Sequence, residues 1–287
     1  MTPPDPTPAL ERTRTYDGAR TTELYCEGTG PAIVLLHGVF DRAQTWRLVL
    51  DRFAAAGRRA IAVNLPPIHH RRVGEPILPR LDSFVAAVIE AHAGTEGVVL
   101  VGNSMGAGLT LRAALNPALP VQVAVPVDIP GFGYRSLISA SVGPYGPPES
   151  VLAGMRLPRS AFRTRVALRA AERTVYFRGR GVDTMDARHF LDFLRGAERL
   201  GDVLAAGRAL LAEFDAGFPP GDPSPLLFVH GRDDRLIPFT AAYRACAHYR
   251  GSQVRILESS GHCPQLDQPR ALTELILDFE SRVSHAA

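Results

Sequence analysis

Residues 98–115 read VVLVGNSMGAGLTLRAAL, and this stretch constrains the fold more than any other. The unbroken apolar run 98–101 suits a strand covered on both faces, as in a parallel sheet. Helical spacing takes over at Met105 and continues to Leu115. Only Gly102-Asn103-Ser104 separates the two, so the chain must leave a buried strand and enter a helix through one sharp turn. A strand feeding a helix this directly belongs to a βαβ unit.

The same two periods alternate along much of the chain. Buried-strand runs fall at 32–36, 60–63, 121–127, 226–229 and 254–257, and helical patterns at 46–56, 81–92, 240–248 and 272–283. Residues 13–26 alternate around Asp17-Gly18, a hairpin signal. The expected fold is α/β: a doubly wound, mostly parallel sheet. The rhythm breaks between 130 and 223, where helical patterns at 160–175, 187–194 and 203–214 occur without a buried strand. This segment reads as a helical lid inserted in a core made of 13–129 and 224–287. Residues 1–12 carry four of the prolines and read as a disordered tail.

Composition removes several function classes. All 32 basic residues are arginine, so Schiff-base and Walker-lysine chemistry are excluded. The 29 acidic residues are interleaved and the net charge is only +3, which argues against a nucleic-acid face. Three scattered cysteines form neither a disulfide framework nor a metal-ligand spacing. No apolar run reaches the ~18 residues of a membrane span. The expectations are a cytoplasmic protein, no nucleic acid and no stable membrane insertion.

The chemistry starts at Gly102-Asn103-Ser104-Met105-Gly106, a G-x-S-x-G on a strand-to-helix turn. Such a turn exposes a serine nucleophile and aims the Met105 amide, with the helix dipole behind it, at a developing oxyanion. A serine needs a base, and the base needs an orienting acid. His262, in SGHCP after the run 254–257, lies at a strand's C-terminal end, where ligands collect in open α/β sheets. Asp234 and Asp233 follow the run 226–229 and Asp128 follows 121–127, so the residues alone leave three acids open. His37 and His230 each precede a glycine at a strand end and read as turn residues.

Through His37-Gly38, the Gly102–Gly106 turn, HGRDDRLIP and SGHCPQLDQP, the chain resembles the lidded serine hydrolases of the α/β-hydrolase superfamily. Their pattern HG-x-x-D-x-x-x-P falls on His230, Gly231, Asp234 and Pro238, and so selects Asp234. The resemblance also implies that Val39 supplies the second oxyanion amide. Phe40 and Asn103 stand as pocket candidates.

The expected function is therefore a serine hydrolase that cleaves a small or medium carboxylic ester through an acyl-enzyme. Catalysis would fall to Ser104, His262 and Asp234, with Met105 and Val39 at the oxyanion and neither metal nor organic cofactor. Its partner would be a small-molecule substrate; a homodimer is left open. The string GNSMG also looks like the turn of carbon–carbon hydrolases acting on diketone-like acids. Eight arginines between Arg156 and Arg180 would suit such a carboxylate if they face the pocket. A third reading is a ligand-binding protein on the same fold, which would have no need of an ordered Ser–Asp–His set.

Overall fold

The structure, a computed structural model, describes residues 9–135, 148–153, 173 and 200–286. Eight strands form one sheet: β1 (Leu10–Tyr16), β2 (Ala19–Cys26), β3 (Thr29–Leu36), β4 (Arg58–Val63), β5 (Val98–Asn103), β6 (Val121–Val127), β7 (Leu227–Gly231) and β8 (Gln253–Leu257). Their order is β1-β2-β4-β3-β5-β6-β7-β8. The β1–β2 and β2–β4 pairs are antiparallel, and every other neighbouring pair is parallel.

The hairpin turns at Asp17 (φ 45°) and Gly18 (φ 73°), the two left-handed positions that a two-residue turn requires. Strand β1 begins at Leu10, which corrects the expectation that the tail runs to residue 12. Pairing of Leu10 with Tyr25 and Arg12 with Glu23 supplies the order that local composition did not foretell.

The helices among the described residues are α1 (Arg47–Ala55), α2 (Leu78–His92), α3 (Met105–Ala114), α4 (Glu149–Ala153), α5 (Leu200–Asp215), α6 (Thr240–His248), α7 (Pro264–Asp267) and α8 (Pro269–Ala286). None is long and apolar enough to cross a membrane. Because side chains alternate along a strand, each central strand feeds two cores. Ala32, Val34 and Leu36 of β3 join Leu81 and Phe84 of α2 and Leu109 of α3 on one face. Ile33 and Leu35 point the other way, to Leu50 of α1 and Ile276 of α8. Trp46, fully buried, belongs to this second core.

Helix α5 lies in the expected lid region and packs on the core. The Phe214 ring occupies the space that a Cβ on Gly108 would fill, seating α5 on α3. The Glu213 carboxylate accepts the Ile77 and Leu78 N–H groups at 2.8 and 2.9 Å, capping the start of α2 from outside the helix. The patterns at 160–175 and 187–194 lie outside the described residues.

Candidate active site

The chain crosses from β3 to β4 on one side and then returns through α2 to β5 on the other. The C-terminal ends of β3 and β5 therefore form a topological switch point, the crevice where open α/β sheets bind ligands. His37-Gly38 ends β3 here and Asn103-Ser104 ends β5. A Cβ on Gly38 would lie 3.4 Å from the Ser104 Cβ, so the two loops touch.

Ser104 is half-buried and has φ 55° and ψ −113°, a strained conformation for a residue with a Cβ. The turn tolerates it because its flanking glycines let backbone close in. A Cβ on Gly102 would meet the Gly106 carbonyl oxygen at 2.1 Å, and one on Gly106 would meet the Leu36 carbonyl oxygen at 2.3 Å. Met105 is the first residue of α3, so its amide belongs to the unpaired N–H set at the helix start. Val39 is half-buried on the facing loop, and Phe40 (φ 61°) turns its ring against Gly207 of α5.

Asp234 and His262 meet: His262 Nδ1 lies 2.7 Å from Asp234 Oδ2. Asp234 Oδ1 accepts the Leu236 and Ile237 N–H groups at 2.7 and 3.1 Å, which fixes the carboxylate in its loop. Burial alone would raise the Asp234 carboxyl, but electrostatic attraction to His262 and hydrogen bonds from His230 and His262 hold it well below the usual range. Asp234 is thus an anion facing an imidazole, which keeps the Nδ1–H tautomer and leaves Nε2 to take a proton. From outside, the Arg135 guanidinium donates to the Asp234 carbonyl oxygen at 3.1 and 3.3 Å.

Asn103, a pocket candidate from the sequence, has its side-chain amide occupied by hydrogen bonds within the strand-end cluster. It is buried, its Nδ2 donates to Asp128 Oδ2 at 3.1 Å and to the His262 carbonyl at 3.0 Å, and its Oδ1 accepts from Gln265 at 3.2 Å. A side chain one residue before the serine is spent on tying down the histidine loop. His230 is more than a turn residue. Its Nε2 lies 3.3 Å from Asp234 Oδ2, 3.4 Å from Asp128 Oδ1 and 3.2 Å from the Ile237 carbonyl oxygen, all fully buried. His37 is structural as expected: Nε2 accepts the Leu65 N–H at 2.9 Å, so the hydrogen on Nδ1 reaches the Gly38 carbonyl at 2.7 Å.

Asp128, weighed from the sequence only as another acid, sits fully buried beside Asp234. Burial and the Asp234 charge push its carboxyl well above the usual range, against hydrogen bonds from Gly231 and Asn103. The sequence signal was present, a lone acid closing the apolar run 121–127, but nothing local ties it to β5 or β7. One ligand atom each from Asp128, Asp234 and His262 falls within 4.8 Å of the others, a spacing that could hold a cation. The 2.7 Å contact of His262 with Asp234 is shorter than the ~3.3 Å between two ligands of a tetrahedral ion with ~2.0 Å bonds. Hydrogen bonding explains the cluster without one. Seven of the eight arginines between 156 and 180 lie outside the described residues; Arg173 is exposed and its carbonyl accepts from Arg235 at 2.9 Å.

Residues 33–275 match the model of the alpha/beta hydrolase family. An esterase of Mycobacterium tuberculosis is 28% identical over 289 residues, covering 94% of this chain and 89% of that protein. A 2-hydroxy-6-oxononadienedioate/2-hydroxy-6-oxononatrienedioate hydrolase of Cupriavidus pinatubonensis is 27% identical over 288 residues, covering 92% of each. Among solved structures, a serine hydrolase involved in carbazole degradation superposes with a TM-score of 0.68 at 20% identity, covering 96% of this chain and 99% of that one. The family model spans most of the chain, and the strand order and switch-point crevice agree with the resemblance read from the motifs. The chain belongs to the alpha/beta hydrolase family.

Proposed function

We propose that this hydrolase-family protein is a serine hydrolase that cleaves a small or medium carboxylic ester through an acyl-enzyme. The observation that carries the reading is the buried 2.7 Å contact of His262 Nδ1 with Asp234 Oδ2, on the strand ends beside the strained Ser104. His262 Nε2 takes the Ser104 proton as Oγ attacks the ester carbonyl carbon. The negative charge that develops on the carbonyl oxygen is received by the Met105 and Val39 amides. Collapse expels the alcohol, which carries away the proton from His262. Water then repeats the sequence on the acyl-enzyme and releases the acid and free Ser104. Asp234 remains ionised throughout and stabilises the imidazolium. The esterase among the relatives supports this class of substrate.

A second reading has its own support: a relative is named for a dioate substrate, and the chain has a basic run at 156–180. Here the same groups would hydrolyse the carbon–carbon bond of a diketone-like acid. A pure ligand-binding role is disfavoured, because a fully buried Asp234 and a largely buried His262 are held as a hydrogen-bonded pair beside a strained serine. A fluorophosphonate probe tests the nucleophile: Ser104 is labelled, and Ser104→Ala loses both labelling and turnover. Labelling that survives the substitution sinks the assignment. Aryl esters of graded acyl length, run beside an acidic vinylogous diketone, separate the substrates, and turnover of the diketone alone overturns the esterase reading.

A further inference from the structure

Asp128 leaves β6 with φ 53°, a left-handed conformation that a residue with a side chain keeps only when its surroundings hold it. What holds it is visible. Oδ1 accepts the Gly231 N–H at 2.9 Å, at the mouth of the loop that carries Asp234. Oδ2 accepts from Asn103, which adjoins Ser104 and also donates to the His262 carbonyl. The backbone repeats the pattern: Ser104 N–H donates to the Val127 carbonyl at 2.9 Å, and Asp128 N–H donates to the Val229 carbonyl at 3.0 Å. The strand ends of nucleophile, acid and base all hang from one carboxyl.

We propose that Asp128 is a positioning residue with a reserve duty: it registers the three strand ends and orients His262 when Asp234 is neutralised or removed. The proposal rests on the Ser104–His262–Asp234 reading. Its geometric basis is the cluster in which an Asp128 oxygen lies within 4.8 Å of His262, with His230 bridging the two acids. Two buried carboxylates this close do not both ionise, so Asp128 keeps a proton while Asp234 is charged. The other titratable groups facing Asp128 are His230 on β7, His262 and Cys263 on the loop after β8, and Asp267 of α7. Among the described residues His230 Nδ1 is buried without a partner. A neutral ring with its hydrogen on Nε2 leaves only a lone pair unpaired there, and that hydrogen can rest on either carboxylate. Removing the Asp234 charge removes one of the two causes that keep Asp128 protonated. Asp128 then ionises at lower pH and presents its charge to the imidazole.

A double-mutant cycle with pH profiles tests this, using the faster of the aryl ester and the diketone as substrate. Asp234→Ala lowers kcat about 10²-fold rather than the ~10⁴-fold typical of losing an orienting acid. Its residual rate rises with pH along a limb that belongs to Asp128. Asp128→Asn costs less than about 10-fold in the wild-type background but a further ~10²-fold in Asp234→Ala, where it also removes the limb. Equal factors in the two backgrounds, or a pH limb unchanged by Asp128→Asn, overturn the proposal, since a merely structural Asp128 gives both. If Asp234→Ala does not fold, Asp234→Ser repeats the cycle, because its hydroxyl still accepts from the Leu236 N–H. Adding Ser104→Ala to Asp234→Ala must abolish the residual turnover; turnover that persists places it at another site and overturns the proposal. Failure of the wild-type Ser104 to take the fluorophosphonate overturns the parent reading, whereas an additive cycle with a labelled serine overturns the reserve acid alone.

Discussion

Among the described residues, two regions bury a carboxylate completely, and they solve the problem in different ways. At the hairpin edge, Glu23 of β2 accepts from Arg12 at 2.7 Å, from His92 at 2.9 Å and from the Tyr16 hydroxyl. Burial would raise Glu23, but the hydrogen bonds from His92, Tyr16 and Arg12 outweigh it and bring its pKa to about 2. At the C-terminal strand ends, Asp128 and Asp234 share His230, His262 binds Asp234, and among the described residues no arginine guanidinium reaches either carboxylate; Arg135 donates to the Asp234 carbonyl. A permanent cation makes Glu23 a staple between the hairpin and α2. The second cluster has no such permanent cation: its acids are held by imidazoles, an amide and backbone N–H groups. The contrast separates a buried acid neutralised by a permanent cation from a pair held by imidazoles at the candidate site.

The largest break in the comparison comes from the strand-end cluster. His262→Ala lowers kcat by about 10⁵-fold while the thermal midpoint changes little, measured by steady-state kinetics and calorimetry on the same preparation. A midpoint that collapses with the activity would make this cluster a staple too. Next is Glu23→Gln, which leaves Arg12 and His92 without their anion. It costs about 2 kcal/mol, or roughly 4 °C in Tm, with kcat unchanged. The folded pKa of Glu23 lies below its unfolded value near 4.5, so this stabilisation is complete above about pH 4.5 and is lost as pH falls towards 2. Urea titrations at pH 7 and pH 3 therefore show a wide gap between wild type and variant that narrows in acid. A gap independent of pH would remove the charge from the explanation.

The smallest effect has the opposite sign. Asp128 has a folded pKa above its unfolded one, so the native state binds the extra proton and the group's contribution to stability declines as pH rises above about 4. Asp128→Asn escapes that decline. Its stability deficit against wild type is therefore smaller at pH 7 than at pH 4.5, as read from urea midpoints. A deficit that grows with pH would show that Asp128 is charged in the native state.

Much of the fold was legible because its signals are local. The turn at Asp17-Gly18, the strand 121–127 and the helix 240–248 stand where periodicity and turn chemistry put them. Ser104 was legible for the same reason, since the strain of its turn is written in the glycines two residues to either side. Asp234 and His262 needed a longer pattern. The roles of Asn103 and His230 were less legible, because each also reaches Asp128 after β6, and Asn103 reaches the loop after β8 as well. No spacing within one segment encodes the contacts with Asp128.

By itself the sequence determined the α/β alternation, the strained serine turn and the types of residue able to serve it, because these depend on neighbours within a few positions. Only the tertiary structure decided that β6 lies between β5 and β7, and so that Asp128 stands between the serine strand and the acid loop. Strand order is set by burying two faces of one sheet at once, a condition on the whole chain. A proton-holding acid behind the candidate site is a consequence of that order.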